Sequence, residues 1–170
     1  KEMKKILLSA ALLLCLLAGV QAKAKPQYVY TEASDLTLIG KIHKDTPNPY
    51  HRVDTVKFKR FTRSENGQVR MSSGIAVVFK TDSPSITVKT VFRTPGYPTN
   101  TNGFSGRGYD LYIREGGQWI YAESGLPGEK DPKAPITLIS DMDGKMKECL
   151  MYLPLYSEME SVQIGVEKGS

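Results

Sequence analysis

Two histidines, a Gly-Ser pair and one acid held between tyrosines are the residues of this chain whose types suit hydrolytic chemistry. Acyl transfer needs a nucleophile, a base and an oxyanion site. His43 and His51 both fall in a connector around Pro47-Asn48-Pro49-Tyr50. Each reads as a loop histidine satisfied by its surroundings. No Gly-x-Ser-x-Gly elbow is present. Asp141-Met142-Asp143-Gly144 matches part of a calcium loop, but Lys145, Met146 and Lys147 follow where further acids belong, so a turn is expected. The chain has no Gly-rich phosphate loop and no Cys/His cluster. On these grounds it carries no catalytic set, and no metal or cofactor is expected.

The acid is Asp110, in the run Gly106-Arg107-Gly108-Tyr109-Asp110-Leu111-Tyr112-Ile113. Strand alternation puts Tyr109, Leu111 and Ile113 on one face and Asp110 and Tyr112 on the other. An acid so placed is expected to cap backbone N–H groups or to pair with Arg52, Arg93 or Arg107. A companion segment follows, Met151-Tyr152-Leu153-Pro154-Leu155-Tyr156. There Pro154 reads as the point where a strand leaves its sheet, presenting Leu155 and Tyr156 for docking another domain.

The elements that must hold these residues are strands. Ile86 to Phe92 and Val162 to Val166 alternate as half-buried strands, and Ile75 to Phe79 is apolar on both faces. Thr55–Phe61, Tyr109–Arg114, Gln118–Ala122, Ile136–Ile139 and Glu148–Leu153 bring the set to about eight to ten short strands. Asn66-Gly67 and Gly116-Gly117 are hairpin-turn signals, and Asp82-Ser83-Pro84 and Asp143-Gly144 are turns. No helical periodicity stands out. The expected fold is all-β, an antiparallel two-sheet sandwich of jelly-roll type. Two long loops, from Arg93 to Arg107 and from Glu123 to Pro135, are where contacts with ligands or domains are expected. Tyr97, Phe104, Arg107, Trp119 and Leu155 are the candidate contact residues. Trp119 is left open between core and surface.

Lys4-Lys5, an apolar run from Ile6 to Leu17, and small residues ending at Ala22 form the three parts of a secretory signal peptide. The run is too short to cross a bilayer, which takes about 20 residues. Leu14 stands where a small residue normally precedes a lipidated cysteine, which argues against lipidation of Cys15. With Lys1-Glu2 ahead of Met3, the upstream boundary is not expected to be the natural one. Residues 1–22 are therefore read as the signal peptide and 23–170 as one sandwich domain, exported to the periplasm or beyond. Lys1, Lys4 and Lys5 against Glu2 leave with the peptide, which lowers the formal net charge from +5 to +3. The remaining basic residues are dispersed along the sequence, so nucleic acid is not an expected partner, and no membrane partner is expected once the signal peptide is cleaved. Cys149 remains alone, so no internal disulfide is expected.

The two motifs, with Leu36-Thr37-Leu38-Ile39-Gly40-Lys41, Pro49-Tyr50-His51-Arg52, Gly74-to-Ser83, Gly117-Gln118-Trp119 and Val162-to-Val166, resemble the GxDLY family in the same order. Gly108, Asp110, Leu111, Tyr112, Pro154 and Tyr156 carry the resemblance. It implies a β-sandwich placed before an α/β SGNH-type (GDSL-like) hydrolase domain in exported bacterial esterases acting on acylated carbohydrates. In that family the catalytic Ser, His and Asp belong to the second domain, so the partner implied is a C-terminal hydrolase domain of the same polypeptide. Gly169-Ser170, after the Val162–Val166 strand, reads as a linker and not as a nucleophile. The resulting expectation is an accessory domain that packs against the catalytic domain and shapes its cleft. The rivals are a free-standing carbohydrate-binding module and, more remotely, a hydrolase in its own right.

Overall fold

The computed structural model describes residues 25–93 and 100–170. The signal peptide, Cys15 and Tyr97 lie outside the described residues. Among the described residues nine strands make two antiparallel sheets. One has the order β1 (Tyr28–Glu32), β9 (Met159–Glu167), β4 (Ile86–Phe92), β7 (Ile136–Ile139). The other has the order β2 (Thr37–Ile39), β3 (Ala76–Thr81), β8 (Lys147–Tyr152), β5 (Tyr109–Glu115), β6 (Gln118–Gly125). This is the expected sandwich.

Period-two alternation builds the core between the sheets. Val77 and Phe79 of β3, Leu111 and Ile113 of β5 and Met151 of β8 face Val88, Val162 and Ile164 of the opposite sheet in one buried cluster. Cys149 joins it, fully buried, and burial pushes its thiol up to about 11. Tyr109 is also fully buried, and its hydroxyl meets Thr90 Oγ1 at 2.5 Å across the sheets. A buried phenol needs such a partner.

Several local expectations give way. Thr55–Phe61 is a series of turns, in which Asp54 Oδ1 accepts from the Val56 and Lys57 amides at 2.9 and 3.0 Å. Asn66-Gly67 is not a hairpin turn but lies inside a helix, α1 (Arg63–Val69). Thr62 and Glu65 form a capping box there, satisfying two N-terminal amides at once, and that outweighs the turn preference of the dipeptide. A second short helix, α2 (Gly103–Arg107), closes the loop that follows Arg93. Gly116-Gly117 is the expected tight turn, with φ of +56° and +83°, and joins β5 to β6. Asp143-Gly144 is also a turn, with Asp143 accepting from Lys147 and from the Lys145 amide.

The registers gather the long connections at one end of the sandwich. That end is where β4, β6 and β8 finish and β3, β5 and β9 begin. Ser170 and the Gly116-Gly117 turn sit at the other.

Candidate functional site

Gly108 sets the geometry of the opening motif. Its amide donates to the Phe104 carbonyl at 2.7 Å, ending α2 and turning the chain into β5. A Cβ at this position would lie 2.5 Å from that carbonyl oxygen and 2.9 Å from the Phe104 Cα, so only glycine allows the approach. From there β5 alternates as expected: Tyr109, Leu111 and Ile113 are buried, Asp110 is exposed and Tyr112 is half-buried.

Asp110 finds a neutral partner in place of an arginine. Its Oδ1 accepts from Ser124 Oγ at 2.6 Å, and that hydroxyl lies 2.9 Å from the Tyr121 hydroxyl. The arginines are engaged elsewhere. Arg52 donates to the carbonyls of Met71 and Gln68, Arg93 approaches Glu158, and Arg107 is buried with its guanidinium 4.5 Å from the Phe92 ring centroid. Tyr112 meets Tyr121 and Tyr152 edge-on at 5.8 and 5.9 Å, making a row of three rings across β6, β5 and β8. Trp119 is on the surface, with Arg114 over its ring at 5.7 Å.

The second motif reaches the same place. Strand β8 ends at Tyr152, and Pro154 starts a loop tied down on both sides. Ser72 donates to the Pro154 carbonyl at 2.6 Å and Ser73 to that of Leu155 at 2.5 Å. On the other side the Tyr156 amide donates to the Ser105 carbonyl at 3.1 Å, and Ser157 Oγ to that of Gly106 at 2.6 Å. The result is a groove of about 490 Å³ lined by Gly74, Phe104, Ser105, Gly108, Asp110, Tyr112, Tyr152, Leu153 and Leu155. Phe104 and Leu155 are about half exposed on its rim, and Tyr156 is 40% exposed beside it. Aromatic faces, one carboxylate and a rigid floor suit a ligand or partner with both apolar and hydrogen-bonding faces. Trp119 and Arg107 do not line this groove.

A second cleft, about 500 Å³, was not foreseen. Its floor is Glu158, 7% exposed, whose Oε1 lies 3.0 Å from His51 Nε2, 3.5 Å from Arg70 Nε and 3.8 Å from Arg93 Nε. Burial pushes the His51 pKa down, and Arg70 and Arg93 add to this against the opposing pull of Glu158. Among the described residues that line it, Thr55 is the one hydroxyl side chain, and no hydrogen bond joins it to the His51–Glu158 pair. Through Glu158 these contacts tie together the long connector, the end of α1 and the end of β4.

A pH dependence follows. Because folded His51 resists protonation, the unfolded chain binds the extra proton as pH falls through the ordinary histidine value of 6.5. Stability contributed by a neutral His51 is therefore full above that pH and declines below it. Thermal melts between neutral and mildly acidic pH should show the decline, and His51→Gln should flatten it. An unchanged profile in that variant would assign the acid sensitivity to other groups.

No curated protein matches the chain. Among solved structures, one described as a GDSL-like lipase from Bacteroides ovatus is 34% identical over 84% of this chain, with a TM-score of 0.78. The salicylyl-acyltransferase SsfX3 from a tetracycline biosynthetic pathway is 18% identical over 84% of this chain, with a TM-score of 0.58, and shares the fold. The chain spans 42% and 40% of their lengths. Residues 27–170 match the GxDLY family, described as the N-terminus of SGNH-hydrolase-type esterases. With that match running from the strand that opens the sandwich through the one that closes it, this chain belongs to the GxDLY family of esterase N-terminal domains.

Proposed function

We propose that this sandwich is the accessory domain of an exported SGNH-type ester hydrolase acting on acylated carbohydrate. It packs against the catalytic domain through Phe104, Leu155 and Tyr156, and its groove supplies one wall of the substrate cleft. The observation that carries the reading is that two motifs about 40 residues apart in sequence meet in one groove with exposed aromatic and aliphatic rims. Exposed apolar residues gathered in this way mark contact surfaces. The leader-like segment ending at Ala22 supports export. Sugar rings present apolar C–H faces for Tyr112 and Tyr152 and hydroxyls for Asp110.

The test uses the full polypeptide that carries the domain. Tyr112→Ala should raise KM for an acylated oligosaccharide about tenfold, the equivalent of ~1.4 kcal/mol of ring contact. Its kcat on a small nitrophenyl ester should stay unchanged. An unaltered KM on the oligosaccharide would remove the groove from the cleft. The row Tyr152–Tyr112–Tyr121 favours one alternative, a free-standing carbohydrate-binding module. Glycan binding by the domain with no effect of Tyr112→Ala on ester turnover would support that alternative.

A further inference from the structure

The connector between β2 and α1 brings two short runs, 42–45 and 53–61, together on one surface of basic and apolar residues. Lys41 anchors it from inside, its ammonium donating to Thr46 Oγ1 at 2.5 Å and to the Pro49 carbonyl at 2.7 Å. Two adjoining hollows, about 570 and 340 Å³, share His43, Lys57 and Phe58. His43 packs on Phe58 with ring centroids 5.3 Å apart, and Lys57 lies 5.8 Å from the same ring. Lys44, Lys57, Lys59 and Arg60 line these hollows against two carboxylates, Asp45 and Asp54. Asp54 is already occupied by two backbone amides. On this cationic rim Ile42 is 91% exposed and Phe58 39%, and Val56, next to Lys57 in the chain and 66% exposed, stands between these hollows and the Glu158 cleft.

We propose that this surface binds an anionic phospholipid bilayer peripherally. Four cations favour a negatively charged interface, and Ile42 and Val56 would enter the boundary between headgroups and acyl chains. The aliphatic residues decide the class of partner. A polyanionic glycan or nucleic acid would use the cations and gain nothing from Ile42 or Val56, whereas a lipid surface uses both. The sequence expectation of no membrane partner concerned a chain freed of its signal peptide and did not weigh a peripheral surface of this kind. The surface is separate from the Tyr112 groove and does not depend on what that groove binds.

Co-sedimentation of the full polypeptide with vesicles tests this. Phosphatidylcholine vesicles containing phosphatidylglycerol should bind it, pure phosphatidylcholine should not, and added salt should weaken the binding. Replacing Lys57, Lys59 and Arg60 with Ser should cost about fivefold per charge. Ile42→Ser with Val56→Ser should cost about tenfold without changing the melting temperature or the turnover of a small ester. Equal binding to both vesicle types overturns the proposal, as does no binding by the full polypeptide. Vesicle binding that ignores the Ile42/Val56 pair also overturns it and points to a soluble polyanion.

Discussion

Glu158→Ala is expected to destabilise this domain by about 1–3 kcal/mol, chiefly the cost of leaving the buried His51 ring without its acceptor, with a smaller part from two partly exposed guanidiniums that lose their counter-charge. Glu158 is buried, and one of its oxygens faces His51, Arg70 and Arg93, which come from the long connector, the end of α1 and the end of β4. Removing the carboxylate strands His51 Nε2 without its acceptor. It also leaves Arg70 and Arg93 facing one another across the vacated space. Glu158→Gln should fall between, because the amide oxygen still accepts from His51 but carries no charge. Urea unfolding of the three proteins would order them as wild type, Gln, Ala. A loss under about 1 kcal/mol for Ala would mean that water replaces the carboxylate and the cleft is a solvated surface.

The second large effect is expected at Gly108. Its φ is negative, so backbone conformation is not the obstacle; space is. In Gly108→Ala the new methyl meets the Phe104 carbonyl at 2.5 Å, and the amide of residue 108 is already bonded to that carbonyl. Relief requires α2 to move away from the start of β5, which breaks that hydrogen bond and shifts Phe104 off the groove. A loss of about 3 kcal/mol is expected from the overpacking, lowering Tm by about 10 °C for a domain of this size. Gly67→Ala is the control, since a Cβ there meets nothing within 4 Å and the helix interior favours Ala. That variant should be neutral or slightly stabilising. If Gly108→Ala melts with the wild type, α2 is free to shift and the groove is not rigid.

Much of this architecture was legible because burial writes a period of two into the sequence. Ile86–Phe92 is recovered at its full length, and the buried-exposed order of Tyr109 to Ile113 is the order found. What failed had a physical cause in each case. Val56 and Phe58 alternate with lysines as a strand would, yet no sheet edge meets them, and alternation without a partner gives no hydrogen bonds. Tyr28–Glu32 and Thr37–Ile39 were overlooked because edge strands bury little and their pattern is faint. The capping box at Thr62 and Glu65 could have been read directly from its spacing. For the site, Phe104, Asp110, Tyr112 and Leu155 were identifiable as individual residues. That they share a groove depends on β5 pairing with β8, which sets Asp110 opposite Tyr152. The Glu158 cluster had no signal at all, since His51 and Glu158 are 107 positions apart.

The pairing of β1 with β9 sets how the domain yields to tension. Tyr28 is opposite Glu167, and the Lys168 amide donates to the Gln27 carbonyl at 2.8 Å, so both ends of the sandwich emerge side by side. Pulling Gln27 and Lys168 apart loads these hydrogen bonds one after another, as in opening a zipper, and never all together in shear. The first strand would peel away at low force while the sheet order β9-β4-β7 held. A force-extension trace would show that peeling as a small early step ahead of the main rupture.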